Sequence, residues 1–145
     1  MPRAIGINHV ALEVGSIDEA LAFLERILGP LTLRGRQGPN AFVDLGDQFL
    51  ALFESGRPVA SEQGHFGLVV DDKEAVRDRL KELGIEVLPG RFLDFRDPWG
   101  NRIEIVGYRD VQFTKSDGVL RGMGVDGLEK TERAQAELRE KGLAG

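Results

Sequence analysis

The chain has 145 residues, 41% hydrophobic and 30% charged, which suits an ordinary globular protein of one domain or two small fused modules. Its net charge of −5 argues against a phosphate-neutralising nucleic-acid surface, which needs a basic face. It has no cysteine and only two histidines, His9 and His65, so disulfides, zinc–thiolate sites and cysteine nucleophiles are excluded, and any metal site must combine histidine with carboxylate.

No apolar run reaches the length of a membrane span, and the opening MPRAIGINHV lacks the apolar core of a signal peptide. The expectation is a cytoplasmic protein with neither membrane nor nucleic-acid partners.

The first predicted element is the strand in NHVALEV, where Val10, Leu12 and Val14 alternate with His9, Ala11 and Glu13. Ser16 or Asp18 then caps a helix of about three turns, with Leu21, Leu24 and Leu28 as its apolar stripe and Gly29 as its stop. Strand-like pieces follow at LTLRG (31–35), AFVDLG (41–46) and QFLALFE (48–54). From residue 64 the order starts again. GHFGLVV is a strand, Asp71 or Asp72 a cap, Val76, Leu80 and Leu83 a helical stripe, and Gly84 a stop. Three more strand-like pieces follow: IEVLPG (85–90), RFLDFR (91–96) and NRIEIVGY (101–108). Self-similarity at about half the chain length indicates a duplicated unit, and antiparallel strands with helices on one face indicate an α+β fold. The rest, DGLEKTERAQAELREKGL (126–143), is expected to be one charged surface helix after a glycine-rich connector from Gly118 to Gly127. Its sparse apolar positions predict weak packing or contact with a partner subunit.

Strand parity narrows the chemistry. The larger apolar residues should pack under the helices, which turns His9 and His65 to the other face. Ile103 and Ile105 take the helix side of DPWGNRIEIV, so Glu104 shares the histidine face. Two histidines and one carboxylate make up the facial triad that suits Fe(II) and similar divalent ions, with positions left for water or substrate. A set of strand residues hydrogen-bonded among themselves, without metal, is the alternative.

These segments resemble the vicinal oxygen chelate superfamily, which includes glyoxalase I, extradiol dioxygenases, methylmalonyl-CoA epimerase, the fosfomycin-resistance thiol transferases and bleomycin-resistance proteins. The motifs are NHVALEV, GHFGLVV and DPWGNRIEIV, the last similar to the family's Asp-Pro-x-Gly-x-x-Ile-Glu signature, and the likeness covers roughly residues 5–108. The resemblance implies two βαβββ modules (about 5–56 and 63–108) forming a cupped, open eight-stranded barrel within one domain over 1–110. A C-terminal extension over 111–145 carries the helix. It also implies one divalent metal ion (Fe, Mn, Zn, Ni or Co) on His9, His65 and Glu104.

The match has gaps. Superposing DQFLALF on GNRIEIV sets Ala51 opposite Glu104, so the second glutamate of the glyoxalase I pattern is missing. Glu54 has the opposite parity and is a fourth ligand only if a bulge shifts the strand register. Glu13, on the face of His9, is either an acid/base residue beside the metal or a rim carboxylate. Arg34, Arg36 and Arg91 are candidates to hold an anionic substrate. Phe49, Phe53 and Phe95 are either cup wall or core, and Trp99 is a turn residue or a subunit contact. Ring cleavage and fosfomycin chemistry each lose a residue they need: the first an extra histidine, the second a threonine at Ala11. The glyoxalase and epimerase activities lose the glutamate at Ala51. The expectation is a metal-dependent lyase, isomerase or dioxygenase acting on an unassigned small molecule. A metal-free binding protein of the bleomycin-resistance kind is the alternative, and a homodimer is expected in either case.

Overall fold

The structure is a computed structural model that describes residues 7, 9–46, 48–56, 64–125 and 127–143. It divides into two compact units, residues 1–64 with 96–101 and residues 65–95 with 102–145. Both mix helix with sheet, in agreement with an α+β fold.

The first unit contains β1 (His9–Val14), α1 (Ile17–Leu28), β2 (Leu33–Gln37), β3 (Asn40–Asp44) and β4 (Phe49–Glu54). Its sheet runs β1-β4-β3-β2, with β1 parallel to β4 and the other pairs antiparallel. Helix α1 starts where Ser16 Oγ accepts the Glu19 N–H at 3.3 Å and Glu54 Oε2 accepts the Ile17 N–H at 3.1 Å. It ends at Gly29, whose φ of 82° is open to glycine at little cost. The buried stripe is Ile17, Ala20, Phe23, Leu24 and Ile27. Leu21 and Leu28 sit at its half-buried margins, so the stripe is turned slightly from the leucine spacing. Val14, Val43, Leu50 and Leu52 are buried with it. Each such side chain contributes about 1.5–3 kcal/mol relative to exposure.

The turn 96–101 belongs to this unit. Buried Asp97 accepts from the backbone of Trp99 and Asn101 and from Asn101 Nδ2, which also donates to the Glu13 carbonyl at 2.9 Å. Trp99 lies so close to Gly15 that an added Cβ would fall 2.2 Å from its Nε1. Trp99 therefore packs on the chain just beyond β1, and Gly15 is there for the close approach.

The second unit contains β5 (His65–Val70), α2 (Lys73–Glu82), β6 (Leu93–Arg96) and β7 (Arg102–Gly107). Strand β7 lies between β5 and β6 and is parallel to β5. Asp72 is the helix cap, accepting the Ala75 N–H, and Gly84 follows the helix at φ 66°. The expected strand at 85–90 does not form, so the described residues hold seven strands and not eight. Its one bond toward β6 is Leu88 N–H to the Asp94 carbonyl at 2.8 Å. Pro89 brings no N–H for a ladder, and Gly90 has φ 130°.

After a 3-10 turn at Tyr108–Asp110 come two helices, α3 (Asp117–Gly122) and α4 (Glu132–Glu140), where one was expected. Helix α3 forms inside the supposed connector because Ser116 caps it and Leu120 is buried. Helix α4 buries Ala134 and Leu138 within this unit. Lys130 Nζ donates to the carbonyls of Tyr108, Val111 and Phe113 at 2.7, 2.8 and 2.6 Å and lies 3.7 Å from the Tyr108 ring centroid. Burial pulls its pKa below the usual lysine range. Among the described residues no helix is long and apolar enough to cross a membrane.

Candidate functional site

In the first unit the register pairs His9 with Phe49, Ala11 with Ala51 and Glu13 with Phe53, so these six share one face of the sheet. The His9 ring stacks on Phe49, with centroids 4.6 Å apart and planes 9° apart. Phe42 meets Phe49 edge-on at 5.8 Å, and the Arg34 guanidinium lies 4.9 Å from the Phe49 centroid. Phe49 and Phe53 thus belong to this face, whereas Phe95, fully buried in the second unit, is core.

Plain alternation would put Arg34 and Arg36 on one face. A bulge in β2 separates them: Leu33 pairs with Val43 and Gly35 with Phe42, leaving one surplus residue. Arg34 goes to the Phe49 face, and Arg36 goes to α1, where Nη1 reaches Asp18 at 2.6 Å. Arg91 is exposed and lies over Phe92.

Glu54 does not join the face of His9. The register from His9–Phe49 to Val14–Glu54 runs without a bulge, which keeps Glu54 on the parity of Val14, and its Oε2 is engaged by the Ile17 N–H. Glu13 is exposed at the edge strand.

In the second unit His65 pairs with Arg102, Gly67 with Glu104 and Val69 with Val106. Ile103 and Ile105 are each 1% exposed on the other side of β7. His65 and Glu104 therefore share a face on neighbouring strands, two residues apart in register. Gly67 faces Glu104 across the ladder: an added Cβ would lie 3.2 Å from Val106 Cγ2, a tight approach, and 3.6 Å from Glu104 Oε2, an ordinary contact. The two registers also align the units independently of sequence. His9 matches His65, Ala11 matches Gly67, and Ala51 matches Glu104. Among the described residues no three His, Asp or Glu side chains converge on a single metal-sized point. The donor set of imidazole and carboxylate in the second unit nonetheless suits a borderline divalent ion.

Parity alone leaves one pair unseen. Asp94 on β6 is buried, and its Oδ2 takes both Nε (2.8 Å) and Nη2 of Arg102. Its Oδ1 is buried with no hydrogen-bond partner. Leaving such an oxygen unmatched costs about 1–3 kcal/mol. Arg102 lies on the face of His65 and Glu104, so this pair belongs to the same surface. A separate cleft of about 260 Å³ is lined by Asp71, Arg109, Gly127, Leu128 and Glu129, beyond the far ends of β5 and β7.

A family model for the Glyoxalase/Bleomycin resistance protein/Dioxygenase superfamily matches residues 6–105. The metallothiol transferase FosB of Shouchella clausii (strain KSM-K16) is 27% identical over 117 residues, 69% of this chain and 78% of that protein. A possible glyoxalase from Bacillus cereus superposes with a TM-score of 0.59 at 29% identity, covering 71% of this chain and 99% of that one. Lactoylglutathione lyase from Agrobacterium tumefaciens gives 0.58 at 28% identity, covering 74% and 96%.

Proposed function

The chain belongs to the Glyoxalase/Bleomycin resistance protein/Dioxygenase superfamily, and from that premise we propose a metal-dependent enzyme acting on a small molecule, of lyase, isomerase or dioxygenase type. His9, His65 and Glu104 are its metal ligands in this proposal. A divalent ion held there would supply Lewis acidity, polarising neighbouring substrate oxygens and stabilising developing negative charge. The observation that carries the proposal is the β5–β7 register, which gives His65 and Glu104 one face. His9 holds the equivalent register position in the first unit. Glu54 is left out of the ligand set because it is engaged at the start of α1. Glu13 is kept as an acid/base candidate on the strand of His9. Of two relatives named for an activity, the lactoylglutathione lyase falls within this range of reactions, and the metallothiol transferase carries a metal in its name. Pairing of two chains is part of the proposal, supported by the sheet edges that β2 and β6 present. So is a cytoplasmic location.

A second reading, a metal-free binding protein of the bleomycin-resistance kind, is favoured by the flat His9–Phe49 stack, a ready platform for a planar ligand. Elemental analysis of the full chain, purified without a histidine tag, separates the two. About one divalent ion per chain is expected, falling to near zero in His65→Ala and in Glu104→Gln. Absence of metal from the unaltered protein, even after incubation with each of the five ions, would favour the second reading.

A further inference from the structure

We propose that the cleft lined by Asp71, Arg109 and Glu129 binds a free α-amino acid, with Arg109 taking its carboxylate and the two acidic side chains its ammonium group. The site is separate from the face of His65 and Glu104 and rests on nothing in the proposed metal chemistry.

Place in the chain is the first support. Asp71 directly follows β5, Arg109 comes two residues after β7, and Glu129 lies in the segment that leads into α4. The family match ends at residue 105, so Arg109 and the 127–129 segment come from a part of the chain that it does not reach. The cleft is thus particular to this chain and not a feature of the shared fold.

Those two walls are fastened to each other. The Thr131 N–H donates to the Arg109 carbonyl at 2.8 Å, and Nζ of Lys130, the residue after Glu129, donates to the Tyr108 carbonyl at 2.7 Å. A ligand entering here meets backbone already in place, so binding costs little further ordering of the chain.

The space itself is open and small. The cleft holds about 260 Å³, and Asp71, Arg109, Gly127 and Glu129 along it are all exposed. A Cβ added at Gly127 would meet no atom within 4 Å. Clefts for drug-sized ligands run to about 300–1,000 Å³, so this one suits a smaller molecule.

Charge then selects the molecule. The Arg109 and Glu129 side chains have no hydrogen-bond or ion-pair partner among the described residues, although they line one cleft. Asp71 gives one oxygen to the Asp72 N–H at 2.9 Å and keeps the other free. Opposite charges that border one space without closing on each other leave a gap for a dipolar ligand, each end meeting the charge opposite to its own. A guanidinium fork matches a carboxylate, and two carboxylates suit the three N–H donors of an ammonium group. Half-buried Leu128 gives an apolar side chain something to touch. A plain carboxylate would meet two like charges here, and a plain amine would meet Arg109.

The test is an NMR titration of the ¹⁵N-labelled full chain with leucine, 4-methylpentanoate and 3-methylbutylamine, run in EDTA so that no metal contributes. The last two lack, in turn, the ammonium and the carboxylate of leucine. Leucine should shift the amide signals of Asp71, Arg109, Gly127 and Glu129 saturably and bind about tenfold more tightly than either analogue. Arg109→Gln should narrow the gap between leucine and the amine, and Glu129→Gln the gap between leucine and 4-methylpentanoate. Both side chains are exposed and unpaired, so an unchanged remainder of the spectrum is expected in each variant. Absence of saturable shifts with leucine overturns the site without recourse to any variant, as does leucine binding no tighter than an analogue. Leucine binding that Arg109→Gln leaves unchanged overturns it as well. The metal proposal stands or falls separately, on metal uptake.

Discussion

The first and second units keep the same backbone plan and put different chemistry on it. In each, a strand starting with histidine runs parallel to the last strand of its sheet, and the registers coincide residue for residue. Around His9 the face is aromatic: Phe49 stacks on the ring, Phe42 meets Phe49 edge-on, and Ala51 stands where the second unit has Glu104. Around His65 the face is polar: Arg102 lies opposite, Glu104 follows, and Asp94 backs the arginine. What the hydrogen-bond ladder enforces is the same in both units, and what it leaves free differs. The ladder fixes which positions meet, and side-chain choice then makes the His9 face aromatic and the His65 face polar.

The comparison can be broken most sharply at Ala51. It is 2% exposed, so Ala51→Glu buries a carboxylate with no partner provided, and unfolding in urea should show a loss on the order of 3 kcal/mol or more. Stability close to that of the unaltered chain, with tighter metal binding, would mean that the halves are interchangeable after all. A smaller effect is expected where the second unit has something the first lacks, the tail tied down by Lys130. Lys130→Met leaves three carbonyls without their donor and should cost about 2–3 kcal/mol, measured in the same way. A loss below about 0.5 kcal/mol, the scatter of ordinary surface changes, would separate the tail from the second unit energetically. The smallest effect concerns Glu137 on α4. The hydrogen bond from Gln112 and then the nearby Arg133 hold its pKa below the usual glutamate range, outweighing the opposing effect of desolvation. Because the folded state favours the ionised form, its contribution is present above the ordinary glutamate range and disappears as acid titrates the folded carboxylate. An NMR pH titration should find its midpoint below the ordinary glutamate range, rising toward that range in Gln112→Ala.

Much of this was legible in the alternation of side chains. The parity of His9, His65 and Glu104, and the match of Ala51 to Glu104, follow from a two-residue period and a repeat that fixes register. Both helix starts and the glycines that end them were equally legible, because capping is local chemistry. What escaped was non-local or broke the period. IEVLPG has the apolar content of a strand, yet Pro89 and Gly90 deny it a ladder. The connector around Gly118 hides a short helix because Ser116 and the buried Leu120 outweigh the glycines. Glu54 is held by a backbone N–H 37 residues away in sequence, and Asp94 by an arginine from the neighbouring strand, contacts that no pattern along a single strand announces.

The bulge in β2 has a consequence for how such a protein can diverge. With the ladder regular, the same residues would turn both Arg34 and Arg36 toward Phe49. With the surplus residue between Leu33 and Gly35, only Arg34 remains there. Sliding that surplus residue past Arg36 would double the positive charge on this face while leaving every side chain in the strand unchanged. Charge on this surface is thus inherited partly as a matter of chain length and spacing, a variable that descendants can alter without substituting any residue of the face.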